Sequence, residues 1–150
     1  MQLPYNVLCI FPLVAVVFST RLQVQIPSTP ALPNPAILPP STSASLTTLS
    51  SSYSAPLRAD SSFDFRNVSF GSYLLDVHCS TYRFAPLRVD VSADGVVEAW
   101  GTFRGNEWEN KGEALLVRDV RGTKVFDVKA GGEKGYYVPR AGCESNFRLD

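Results

Sequence analysis

From Arg21 onward the chain alternates. Leu22, Val24 and Ile26 fall on one side of an extended RLQVQI segment, with Gln23 and Gln25 on the other. The same period of two returns at Ala44, Leu46 and Thr48, at Phe63 and Phe65, and at Tyr73, Leu75, Val77 and Cys79. It continues through Leu87, Val89 and Val91, then Val97, Ala99, Gly101 and Phe103, then Leu115 and Val117, Phe126 and Val128, and Tyr136 to Val138. Side chains of a strand point to its two faces in turn, so this pattern predicts strands with one buried face. The opposite faces are mixed: Leu74, Asp76 and His78 on one strand, Val96, Glu98, Trp100 and Thr102 on another. Turns are expected at Phe70-Gly71-Ser72, Ala93-Asp94-Gly95, Arg121-Gly122 and Gly131-Gly132. No stretch sustains a 3.6-residue period. Short strands punctuated in this way predict an all-β chain folded as an antiparallel β-sandwich.

Two segments break the pattern. Val7 to Phe18 (VLCIFPLVAVVF) is uncharged and apolar, and too short for the roughly 20 residues that cross a bilayer. It reads as the apolar region of a secretory signal peptide spanning residues 1–19, with Val17 and Ser19 at the minus-three and minus-one cleavage positions. A short buried strand is the alternative. Residues 27–43 carry Pro27, Pro30, Pro33, Pro35, Pro39 and Pro40, which exclude helix and sheet and predict an extended connecting loop. The expected organisation is a signal peptide (1–19), a sandwich domain (20–140) and a polar tail (141–150).

Charge and composition narrow the function. Among 150 residues, 14 Lys and Arg balance 14 Asp and Glu, a net charge of zero that argues against a nucleic-acid binder and against a polybasic membrane-surface binder. A lone His and three Cys leave no metal site and no cofactor to expect. Removal of a signal peptide would take Cys9 and leave Cys79 and Cys143, whose pairing the spacing does not demand. Cys79 lies in an apolar alternation and reads as a buried free thiol; Cys143 lies in the polar tail and is the more reactive of the two.

The remaining candidates for chemistry are few. His78 and Cys79 are neighbours in one strand and point to opposite faces, so they cannot form a catalytic dyad. His78 shares its face with Asp76, and a surface pair is expected there. Glu98, Glu107, Glu109 and Glu113 cluster in sequence, but glycoside hydrolysis depends on a carboxylate separation that sequence does not encode directly. Trp100, Trp108, Tyr82, Tyr136 and Tyr137 could stack on sugar rings, or cover a core or a protein interface. Asn67-Val68-Ser69 is an N-glycosylation sequon, expected at a turn. Leu74, Trp100 and Trp108 lie opposite the inferred core or in a loop, and are the expected partner-binding residues. No residue stands out as catalytic.

The run SFDFRNVSFGSYLLDVHCSTYRFAPLRVDVS is more specific than any single motif. Its Gly71-Ser72-Tyr73, followed by Tyr82, Phe84, Pro86, Arg88, Val89 and Asp90, resembles the lumenal domain of the endoplasmic reticulum membrane protein complex subunit 7 family. AWGTFRGNEWENKGEALLV and Tyr136-Tyr137-Val138 resemble its fungal branch. The resemblance extends over roughly Leu22 to Arg140. It implies a carbohydrate-binding-like, transthyretin-like sandwich without catalytic residues, a label of shape and not of sugar binding. It also implies residence at the endoplasmic reticulum membrane on the lumenal side. The implied partners are other subunits of that complex, chiefly the large first subunit, in an insertase for weakly hydrophobic tail-anchored and multipass segments. Members of the family continue into a single transmembrane helix, whereas residues 141–150 here are polar. A lumenal or secreted carbohydrate-binding module is the alternative function.

Overall fold

The computed structural model describes residues 19–135. The apolar N-terminal segment, the Tyr136–Val138 strand, Cys9, Cys143 and the polar tail lie outside the described residues.

Twelve strands run through the described chain: β1 (Thr20–Gln25), β2 (Ser43–Thr47), β3 (Ser52–Pro56), β4 (Ser62–Val68), β5 (Gly71–His78), β6 (Tyr82–Phe84), β7 (Leu87–Val91), β8 (Val97–Gly101), β9 (Ala114–Leu115), β10 (Arg118–Val120), β11 (Thr123–Asp127) and β12 (Ala130–Glu133). They form a six-stranded sheet in the order β3-β2-β5-β7-β8-β9, a four-stranded sheet in the order β10-β11-β1-β4, and a small β12-β6 ribbon. Among the described residues no helix is long and apolar enough to cross a membrane.

The predicted alternation sets the core. Tyr73, Leu75 and Val77 of β5, Leu87, Val89 and Val91 of β7, and Ala44 and Leu46 of β2 are buried. They meet Leu22 and Val24 of β1, Phe63 and Phe65 of β4, and Phe126 and Val128 at β11. Each large apolar side chain taken from water in this way stabilises the fold by about 1.5–3 kcal/mol. The Arg121-Gly122 turn is a two-residue hairpin joining Val120 to Thr123, with both residues at positive φ (52° and 79°). That geometry matches strand twist and favours glycine at the second place.

Four expectations change. The sheets are antiparallel except for β1 and β11, which pair in parallel from Arg21↔Thr123 to Gln25↔Asp127. The two strands lie at opposite ends of the described chain, and the rest of the fold serves as the crossover a parallel pair requires. Gly131-Gly132 is not a turn: both residues lie in β12, with Gly132 at φ 134° and a register shift beside it. The Leu115 strand is short, and Val117 falls outside it. The proline-rich segment is not merely a connection. Leu32 and Leu38 are buried in the common core, a 3-10 turn forms at Pro35–Ile37, capped by the Asn34 side chain, and Ser43 already belongs to β2.

Candidate partner-binding face

The expected residues meet on the outer face of the six-stranded sheet, and strand register aligns them. Thr47, Leu74, Arg88, Trp100 and Ala114 stand directly opposite one another on five successive strands. Directly opposed side chains touch across a sheet, so this row forms a continuous stripe. Two of the expected residues, Leu74 and Trp100, are thus half-buried members of one row, separated by Arg88.

The loop from residue 102 to 113 brings in the third. It folds back over the sheet, held by the Gly101 N–H donating to Glu113 O at 2.8 Å and by the Asn106 side chain donating to Asn110 O at 2.8 Å. Gly112 passes so close that a Cβ there would collide with the Gly101 carbonyl oxygen. Arg88 then clamps the loop. Its guanidinium lies 4.5 Å from the Trp108 ring centroid and 5.8 Å from that of Trp100, and it donates to the Trp108 backbone carbonyl. Asp90 orients Arg88 with two hydrogen bonds of 3.0 Å. Lys111 covers Trp100 from the loop side, its ammonium 3.9 Å from the ring centroid. Cation–π contacts of this kind are each worth about 0.5–2 kcal/mol. Neither tryptophan is loose: Trp100 is the base of the stack and Trp108 its outermost layer, 47% exposed.

Beside Trp108 the surface is concave. A groove of about 550 Å³ is lined by Thr47, Thr48, Leu49, Ser72, Leu74 and Trp108. Leu49, at the β2–β3 turn, is fully exposed. Leu49 escaped the sequence reading because no alternation marks a turn residue. Its signal was a bare leucine in a Thr-Thr-Leu-Ser-Ser run, where turn chemistry would favour a polar residue.

Other candidates fall elsewhere. His78 is exposed and shares a 2.8 Å hydrogen bond with Ser45 Oγ, so its partner is Ser45 and not Asp76, which faces Arg104 at 4.0 Å. Cys79 points the other way, buried, with Sγ 3.4 Å from Thr81 Oγ1 and no disulfide partner among the described residues. Tyr82 is no sugar platform. Its ring is buried in the core, and its hydroxyl donates to Glu133 at 3.2 Å. Tyr136 and Tyr137 lie outside the described residues. Glu98, Glu107, Glu109 and Glu113 are exposed; Glu107 alone among them borders the narrow cleft between Trp100 and Trp108. Among the described residues no three His, Cys, Asp or Glu side chains gather in a metal-binding group.

Asn67 sits in β4 and not in a turn, at a bulge where the pairing with β1 shifts register. Its φ of 56° is the left-handed conformation that Asn tolerates better than most residues, and its side chain is exposed. The sequon hydroxyl of Ser69 hydrogen-bonds Tyr73 Oη at 2.8 Å and Tyr53 Oη at 3.3 Å.

Fold and face together define a β-sandwich module that presents a braced aromatic stack beside an apolar groove. Residues 33–145 match the family model for the ER membrane protein complex subunit 7 beta-sandwich domain, and the chain belongs to that family. Endoplasmic reticulum membrane protein complex subunit 7 from Danio rerio is 28% identical over 90 residues, covering 56% of this chain and 32% of the relative. The chain therefore spans about a third of that relative's length. Among solved structures, the C-terminal fragment of pilus adhesin SpaC from Lactobacillus rhamnosus GG matches with a TM-score of 0.52 and 12% identity, covering 81% of this chain and 48% of that one. That likeness is of fold alone.

Proposed function

We propose that the chain is a non-catalytic subunit of the endoplasmic reticulum membrane protein complex, placed on the lumenal side of the membrane. In this reading the complex inserts weakly hydrophobic transmembrane segments, and the sandwich serves its assembly by docking against another subunit, chiefly the large first one. The observation that carries the docking role is the groove formed by Leu49, Leu74 and Trp108, whose Trp108 wall is pre-ordered by Arg88. An aromatic anchor held rigid before binding loses little conformational entropy on association. Family membership supports the complex as the setting. Trp108→Asp should abolish co-purification with the complex from microsomes while leaving the far-ultraviolet spectrum unchanged. Undiminished association of the folded variant would remove the groove from the proposal.

A second reading, a lumenal carbohydrate-binding module, draws on the hydroxyls of Thr47, Thr48 and Ser72 around the exposed indole of Trp108. Leu49 and Leu74 make the groove more apolar than a sugar face needs. Glycan-array binding that disappears in Trp108→Ala would favour this reading over subunit docking.

A further inference from the structure

A second concavity, of about 520 Å³, opens where the end of β5 meets the β6/β12 ribbon, and it shares no lining residue with the Trp108 groove. Its charge is one-sided. Arg83, Arg104 and Lys134 line it with a single carboxylate, Asp76, and His78 and Ser80 line it as well. Three cations against one anion leave an excess of two positive charges with His78 counted as neutral.

The three cations are exposed. Strand β6 buries Tyr82 and turns Arg83 outward, where it forms no ion pair within 4.0 Å among the described residues. Arg104 reaches Asp76 only at 4.0 Å, with its side chain 92% exposed. Lys134 is positioned by its backbone N–H, which donates to Thr81 O at 2.7 Å. Its ammonium donates to the Cys79 carbonyl, which takes one of its three N–H donors. The neighbouring Glu133 carboxylate is engaged by Tyr82 and does not line the cleft.

We propose that this cleft binds a phosphomonoester. Such a group carries a charge of about −1.5 to −2 at neutral pH, which matches the excess of two. Its three terminal oxygens can accept from two guanidinium forks and an ammonium at once, whereas a carboxylate would leave one positive charge unbalanced. The group could be a soluble phosphate compound or the headgroup of a lipid such as phosphatidic acid.

The test uses the full chain. Inorganic phosphate, followed by amide chemical shifts, should saturate a site confined to residues near His78, Arg83, Arg104 and Lys134. Arg83→Asp should weaken that binding about tenfold or more, as expected for loss of a guanidinium–phosphate pair. Arg121→Asp, an equal charge change at an exposed turn of the other sheet, should leave it unchanged. Flotation with phosphatidylcholine vesicles containing phosphatidic acid, lost in Arg83→Asp, would identify a lipid headgroup. Phosphate binding without flotation would identify a soluble ligand. Shifts scattered over the whole basic surface, or equal losses in Arg83→Asp and Arg121→Asp, would overturn the proposal.

Discussion

Asp64 shows how much one side chain can organise. It projects from β4 on the outer face of the four-stranded sheet, and its carboxylate is only 7% exposed. Arg21 meets it with two hydrogen bonds of 2.7 and 2.8 Å, Arg66 with one of 3.0 Å, and Arg58 stands at 3.6 Å. Hydrogen bonding from Arg21, and then from Arg66, outweighs the opposing effect of burial and holds the carboxyl at about 2 instead of 3.8. A pKa lowered by folding stabilises the native state above the unfolded value, and that stability drains away as pH falls from about 4 to about 2. The shift corresponds to on the order of 1–2 kcal/mol once solvent screening of the exposed arginines is allowed for. Urea unfolding at about pH 6 and about pH 2 should show a smaller acid loss in Asp64→Asn than in the parent. An identical acid loss in both proteins would mean the cluster is energetically silent.

At the scale of elements, two loops behave as structural parts. The proline-rich segment lends Leu32 and Leu38 to the core, and Leu32 is fully buried. Leu32→Ala should therefore cost about 2–4 kcal/mol, as a truncation in a strand interior would. A denaturation midpoint unchanged by this substitution would reduce the segment to a tether. The loop over the six-stranded sheet depends instead on Arg88, which ties β7 to Trp108 through stacking and a backbone hydrogen bond. Arg88→Ala should release the loop, seen as faster amide exchange at Asn106 and Asn110, and weaken association with the complex. Retention of full association by this variant would show that the pre-ordering of Trp108 is dispensable.

For the whole molecule, two concave surfaces share no lining residue, one apolar at Leu49, Leu74 and Trp108, one basic at Arg83, Arg104 and Lys134. On the proposed reading, a partner held by the apolar groove would leave the basic cleft open to a second ligand. Leu49 offers the cleanest probe of the first, because it is fully exposed and holds nothing in the core. Leu49→Asp should change stability by less than about 0.5 kcal/mol and still reduce co-purification with the complex. An unaltered yield of complex would count against the groove without any question of misfolding.

Much of this protein is written in its alternation. Alternation places Tyr73, Leu75 and Val77 on one face, and they lie in the core; composition marks Arg121-Gly122 as a turn, and it closes a hairpin. Strand period and turn composition are local properties of a few residues. The outward direction of Leu74 and Trp100 follows from the same rule. Their alignment in one row with Arg88, the descent of Trp108 onto that arginine, the parallel pairing of β1 with β11 and the burial of Leu32 do not. The row depends on the register between neighbouring strands β5, β7 and β8, the β1–β11 pair on strands at opposite ends of the described chain, and Leu32 and Trp108 on where a loop lands. Those choices are made by packing of the assembled sheets and not by the preferences of neighbouring residues.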